Sequence, residues 1–232
     1  MVMGTSYNPR IVTENLVFCV DAANIRSYPK TGTTWTDLKG GNNGTLTNMD
    51  GANFSSANGG VLSFDGSNEY CLFPYSASSN ISGFAWVKFD NFTGASIVKN
   101  WGHSPGAFHL DASTQGAGYL ALYISAGSSI FIKDNFLLST NTWYHTGFTI
   151  SGSKYSIYRD GNEVTSSSHS GLSILNRPNL GVGCKLNDDG TSADTITPKY
   201  LNGNISAVQI YNRALTADEV RQNYLATKER YA

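Results

Sequence analysis

The densest group of residues able to do chemistry in this chain is Asn187, Asp188, Asp189, Gly190, Thr191, Ser192, Ala193 and Asp194. This acidic, oxygen-rich run follows an apolar stretch at 179–185. Calcium takes six to eight oxygen ligands, and closely spaced carboxylates, amides and carbonyls can supply them. Asn187, Asp188 and Asp189 are therefore candidate calcium ligands, although their spacing is not that of a calcium hand loop. The same residue types are ordinary turn formers, and a solvated turn accounts for the run without any ion. A second group is Asn100, Trp101 and His103 in a loop-like stretch with Gly102 and Ser104. An indole face there could stack on the apolar side of a sugar ring, with the polar neighbours hydrogen-bonding its hydroxyls.

Other reactive residue types are scattered. Hydrolysis of a glycosidic bond with retention needs two carboxyls about 5–5.5 Å apart. The five glutamates, Glu14, Glu69, Glu163, Glu219 and Glu229, are spread too widely for any strand to carry alternating acids. His103, His109, His145 and His169 form neither an HxH nor an HExxH pattern, so a zinc site is not supported. His145, beside Trp143 and Tyr144, reads as a packed or surface residue. Cys19, Cys71 and Cys184 are odd in number and widely separated, as expected of small buried hydrophobes in a reducing compartment.

The elements that must position these residues are short strands. The 232 residues include 24 Gly, 13 Tyr and 11 Phe, a mix that suits strands joined by tight turns. In 118–126, Leu120, Leu122 and Ile124 alternate with Tyr119, Ala121 and Tyr123. In 143–150, Tyr144, Phe148 and Ile150 share a face. Asp160 and Gly161 are a strong two-residue hairpin signal, because both tolerate positive φ. Asp65, Gly66, Ser67 and Asn68 make a turn between 61–64 and 70–73, with Asp65 bonding turn N–H groups. Near the end, Ile205, Val208, Ile210 and Tyr211 make an apolar strand. Thr216 and Glu219 have capping-box spacing for a helix over 216–228, with Val220 and Tyr224 on one face. Many strands and one terminal helix predict an all-β, two-sheet antiparallel sandwich. The expected organisation is an N-terminal arm, 1–14, and one domain, 15–232. The arm either docks onto a partner or pairs within the sandwich through Ile11, Val12 and Thr13.

The run 203–220 resembles the closing motif of laminin-G-like domains, which belong to the concanavalin A-like lectin and glucanase jelly rolls. Leu16 to Ala22 with Trp35 and 43–46 resemble the opening of that family. Val61 to Tyr70 resembles its FDG hairpin, and Trp143, Tyr144 and His145 with 158–161 its central hairpin. The resemblance implies a laminin-G-like jelly roll, with Trp35 and Trp143 in the core. It also implies calcium at the acidic loop, with a second rim loop near Lys99 completing the site. Here Lys99, Asn100 and Trp101 stand where an acidic pair would be expected. The glucanase members carry two glutamates and an aspartate alternating on one strand. That signature is missing, so no enzymatic activity is expected.

The net charge is −1 and 14 % of residues are charged. No basic stripe offers a nucleic-acid footprint. No apolar run approaches ~18 residues, so no membrane insertion is expected. Met1 to Arg10 lacks the basic start and apolar core of a signal peptide. With this opening and closing pair, the chain resembles lectin-like domains of tailed-phage particles. The expectation is a virion surface protein, a capsid decoration or tail-fibre component. It would be made in the host cytoplasm, with capsid or tail proteins as partners, cell-surface glycans as ligands, and oligomer formation open. The alternatives are a free calcium-dependent carbohydrate-binding lectin and, against the missing carboxylates, a glycoside hydrolase.

Overall fold

The structure is a computed structural model and describes residues 9–75, 79–100, 106–125, 129–170, 174 and 177–232. In chain order its strands are β1 Leu16–Asp21, β2 Thr34–Trp35, β3 Gly44–Thr47, β4 Phe54–Ser55, β5 Val61–Asp65, β6 Tyr70–Phe73, β7 Ile81–Phe89 and β8 Ser96–Lys99. Then come β9 Phe108–Asp111, β10 Tyr119–Ser125, β11 Ser129–Leu137, β12 Trp143–Ser151, β13 Lys154–Arg159, β14 Asn162–Ser168, β15 Leu180–Val182 and β16 Asn202–Tyr211, followed by helix α1, Ala217–Thr227. The first sheet runs β14-β13-β12-β7-β16-β5-β4, with β1 also on β16, and the second runs β11-β10-β9-β8-β15-β6-β3-β2. The two antiparallel sheets pack as a sandwich with one short C-terminal helix, as the alternation predicts.

The inward residues of both sheets form the main core, including Leu120, Leu122, Ile124, Phe148, Ile150, Val208, Ile210 and the wholly buried Trp35. Alternation puts the next residue of each strand on the opposite face. On the first sheet that outer face carries a second core, where Cys19, Phe84, Tyr158 and Tyr211 meet Leu215 and Val220 of the helix region. Two glycines on the central strands β7 and β12 accommodate aromatic rings, Gly147 on this outer face and Gly83 on the inner one. Gly147 pairs with Phe84, and Gly83 with Phe148. A Cβ on Gly147 would stand 2.1 Å from the Phe84 ring, and one on Gly83 2.6 Å from the Phe148 ring. Each glycine makes room for the aromatic ring opposite it.

Helix α1 forms where the capping box predicts. Thr216 accepts from the Glu219 N–H, and the Glu219 carboxylate accepts from Thr216 N–H at 2.9 Å. Arg213 and the two Thr216 bonds hold the Glu219 carboxyl down at about 2. Three elements shorten or shift relative to expectation. The strand in 179–185 is confined to Leu180–Val182, because Gly183 turns at φ 78° and Cys184 bridges Tyr200 instead. The strand in 118–126 spans Tyr119–Ser125. In the segment read as an arm, Val12 is buried: its N–H donates to Asn223 Oδ1 at 2.8 Å, and its carbonyl accepts from Tyr211 O–H at 2.9 Å. Val12, with the partly buried Ile11, is thus packed into the second core, while Thr13 and Glu14 are exposed, and 11–13 form no strand. Cys19, Cys71 and Cys184 are all free and buried.

Val12 closes the second core, so Val12→Ala should destabilise the domain by about 2 kcal/mol, from two lost methyl groups and the cavity they leave. Chemical denaturation measures this, and a change below a few tenths of a kcal/mol would show that the segment is not part of the packed unit.

Candidate functional site

The outward face of the second sheet gathers polar and aromatic residues in register. Lys99 pairs with His109, His109 with Tyr123, and Tyr123 with Phe131, so one row crosses β8, β9, β10 and β11. A second row runs Ser96, Asp111, Ala121 and Lys133. Leu110, Leu122 and Ile132, between the rows, point into the core. At the outer end the face is open. Phe131 is 47 % exposed, and its ring stacks on Tyr123 with centroids 5.5 Å apart. The Gln115 amide donates to the Tyr123 hydroxyl, and Lys133 Nζ lies 4.5 Å from the Tyr119 ring centroid. A flat aromatic pair edged by amide, phenol and ammonium groups suits a sugar ring, whose one side is apolar and whose rim is hydroxylated.

Toward the inner end the rows are closed over. His109 Nε2 is 3.1 Å from Ser96 Oγ, and its Nδ1 is 3.3 Å from Asp111 Oδ2. Asp111 also accepts from the N–H groups of Ser113 and Thr114 and from the Thr114 hydroxyl. Lys199 Nζ stands 3.9 Å away. Burial, and then Lys99 and the neighbouring lysines, push the His109 pKa well below its ordinary value, so the ring is neutral. A proton on Nδ1 lets His109 donate to Asp111 and accept from Ser96. That order of groups is the one used for acyl transfer. Here Ser96 is fully buried, and its hydroxyl is not presented to any substrate. The trio ties β8 to β9. Lys99 is also buried, and desolvation with Lys185 nearby lowers its pKa to about 6.

Of the sequence-predicted loop residues, Asn100 follows Lys99 at the end of this row. Asn100 is buried, and its Oδ1 accepts from Phe108 N–H at 2.7 Å, so it closes the β8–β9 connection rather than facing a ligand. Trp101 and His103 lie outside the described residues.

At the acidic loop, Asn187, Asp188, Asp189 and Asp194 border one cavity of about 410 Å³ with Lys185. The oxygens wanted for calcium are largely engaged. Asn187 Oδ1 accepts from the N–H groups of Thr191 and Ser192, and Asp189 Oδ1 from Thr191 N–H and O–H. Lys185 Nζ bonds both Asp194 and Thr197. Partial burial opposes ionisation of Asp194, but Lys185 and the Thr197 and Ile196 N–H groups outweigh it and hold the carboxyl below the ordinary carboxylate range. Among the described residues, no three acidic, histidine or cysteine side chains converge on a metal position. The donor set does not fit calcium while these bonds stand, because a lysine ammonium already supplies the positive charge.

The sequence reading missed one aromatic group. Trp143, assigned to the core by family resemblance, is only partly buried. With Trp86, Tyr224 and Tyr231 it lines a cleft of about 260 Å³ on the outer face of the first sheet. Residue spacing could not reveal it, since Trp86, Trp143 and Tyr231 belong to three distant segments.

Two antiparallel sheets of this topology, with a polar and aromatic outer face, define a lectin-type jelly roll. Residues 65–221 match the Laminin_G_3 model, described as the concanavalin A-like lectin/glucanases superfamily, and the chain belongs to that family. No curated protein matches it in sequence. Among solved structures it is similar to domain 4 of AbnA, a GH43 extracellular arabinanase from Geobacillus stearothermophilus, in complex with arabinotriose. That match has 19 % identity and a TM-score of 0.67, over 91 % of this chain and 98 % of that one. It is also similar to Trypanosoma rangeli sialidase in complex with sialic acid, at 16 % identity and TM-score 0.68; the match covers 99 % of this chain but 36 % of the sialidase. A heptameric SAP-like pentraxin from Limulus polyphemus matches 69 % of this chain and 79 % of its own, at 17 % identity and TM-score 0.54. At these identities the likeness shows the fold.

The loop chemistry gives an expected outcome. The melting temperature should be the same in millimolar calcium and in chelator. Lys185→Met should lower stability by about 2 kcal/mol, since Asp194 loses its charged partner. A calcium-dependent rise in melting temperature of the unaltered protein would contradict this arrangement.

Proposed function

We propose that the chain is a non-enzymatic carbohydrate-binding module whose glycan lies on the open end of the second sheet, across Tyr123 and Phe131. The observation that carries this reading is the exposed, stacked Tyr123–Phe131 pair beside Gln115 and Lys133, in a family of lectin-like domains. The end-to-end likeness to an arabinanase domain solved with arabinotriose supports it. The non-enzymatic part is supported by where the acids sit. Glu69 bonds Asn53 and the Asp65 N–H, Glu163 bonds Lys154 and Tyr158, and Glu219 bonds Arg213. Asp111 is fully buried among its own partners.

The finer reading places the module on a virus particle, as a capsid decoration or tail-fibre component with capsid or tail proteins as partners. It rests on the resemblance of the opening and closing motifs. Co-purification with particles in many copies would support it, and absence from particles would end it.

Affinity electrophoresis of the whole chain through gels containing arabinan or sialylated glycoprotein tests the glycan reading. Tyr123→Ala and Phe131→Ala should each weaken retention about tenfold, the effect of about 1.4 kcal/mol of lost stacking. Retention unchanged in both variants, or no retention of the unaltered chain on any glycan tried, would overturn it.

A further inference from the structure

We propose that the cleft on the outer face of the first sheet is a second ligand site, separate from the open face of the other sheet and built to hold one sugar ring. Trp86, Trp143, Tyr224 and Tyr231 supply its apolar walls, and Asp160 and the Lys228–Glu229 pair, Nζ to Oε1 3.8 Å, its charged groups, around about 260 Å³.

The walls are fixed. Trp143 Nε1 donates to Asn58 Oδ1 at 3.0 Å, and Trp86 Nε1 donates to Thr227 Oγ1 at 2.9 Å. With both indole N–H groups bonded within the protein, the partly exposed Trp143 offers ring carbon, while Trp86, only 5 % exposed, backs the cleft. Tyr231 stacks on Trp86, centroids 3.9 Å apart and planes 16° from parallel. The residue before it, Arg230, is bonded to both Asp21 oxygens, to Ser206 Oγ and to the Asn58 carbonyl. The C-terminal wall is thereby bolted to β1 and β16.

The polar lip comes from the Asp160–Gly161 turn that joins β13 to β14. Both residues adopt positive φ, 50° and 77°, which presses the turn against the helix. A Cβ on Gly161 would lie 2.9 Å from the Tyr224 side chain, so glycine is required for this approach. Asp160 Oδ1 accepts from His145 N–H at 3.0 Å, which sets the carboxylate beside the cleft. Its partly desolvated surroundings, which raise its pKa, strengthen hydrogen bonds made there.

The chemistry selects the occupant. Ring carbon on one side, with carboxylate acceptors and the Lys228 ammonium donor on the other, matches the apolar face and hydroxyl edge of a sugar. A cationic ligand is disfavoured because Lys228 lines the cleft and two of its aromatic rings already have cations nearby. Lys88 Nζ is 5.9 Å from the Trp143 ring and Arg230 Cζ 5.2 Å from that of Tyr231. Because the walls are held before a ligand arrives, little ordering cost opposes binding. Two glycan sites on opposite sheets would let one domain hold a branched or repetitive polysaccharide at two points, multiplying weak affinities.

The test is a titration of the ¹⁵N-labelled whole chain with arabinotriose, sialic acid, galactose and glucose, followed at the indole N–H signals. The Trp86 and Trp143 signals should shift saturably with at least one sugar, while that of the buried Trp35 stays fixed. Trp143→Ala should weaken the response at Trp86 at least tenfold. Asp160→Asn, which tolerates the turn conformation and keeps an oxygen for His145, should weaken it severalfold without unfolding. Tyr123→Ala should leave it unchanged, and a failure of the open face of the unaltered chain to bind any glycan would overturn only the first reading. Absence of a saturable shift at Trp86 with all four sugars would overturn the second site. So would a shift undiminished in both cleft variants, or one abolished by Tyr123→Ala.

Discussion

Everything in this molecule is arranged around one strand, Asn202–Tyr211, whose two edges are both taken. β7 pairs along one edge, and β5 and then β1 share the other. The strand also carries the link between the two cores. A register shift between Ile205 and Ala207 changes its parity, so that Ile205, Val208 and Ile210 all reach the main core although they do not alternate in sequence. Tyr211 then falls on the outer face. There its hydroxyl donates to the Val12 carbonyl and accepts from the Asn223 amide. Ser206 on the same strand donates to the Gly60 carbonyl and accepts from Arg230. The N-terminal entry, the helix and the last residues are held through this one element.

That constraint explains why the two candidate surfaces are rigid but unlike each other. Among the described residues no helix covers the second sheet, so the outer end of its outward face stays open, and Tyr123 and Phe131 meet solvent there. Its inner end is covered and filled with a hydrogen-bonded network of Ser96, His109, Asp111, Thr114 and Lys199. The first sheet is covered by helix α1 over Phe84 and Tyr158. What remains there is a narrow cleft at the helix C-terminus, where Lys228–Arg230 turns the chain back. His145 shows what burial does on that side. Its ring stacks on Phe84 at 5.5 Å, and desolvation lowers its pKa to about 3, so it packs as a neutral aromatic.

The fold was legible in the sequence because period-two alternation, turn dipeptides and a capping box are local signals. Leu120, Leu122 and Ile124, the Asp160–Gly161 turn, and Thr216 with Glu219 all adopt the geometry their spacing implies. The sites were less legible. Asn187 and Asp189 look alike as calcium ligands or as turn formers until the N–H groups of Thr191 and Ser192 are seen to claim their oxygens. Lys185 was silent in sequence, since its bond to Asp194 depends on how the loop folds back. Asn100 reads as a polar loop residue, yet a single backbone bond to Phe108 draws it inside. Trp143 reads as core from its motif position in the family, while alternation with the buried Tyr144 sends it to the opposite face. Tyr123 and Phe131 were recognisable as strand residues, but only the register of β10 with β11 makes them a pair.

The central claim is that this lectin-type domain recognises glycans on preformed aromatic and polar surfaces without a metal ion. A glycan array probed with the intact chain in excess chelator tests it most directly. The account predicts saturable binding to a defined set of glycans that is the same with chelator as with calcium. Binding that appears only when calcium is restored, or no binding to any glycan under either condition, would contradict it.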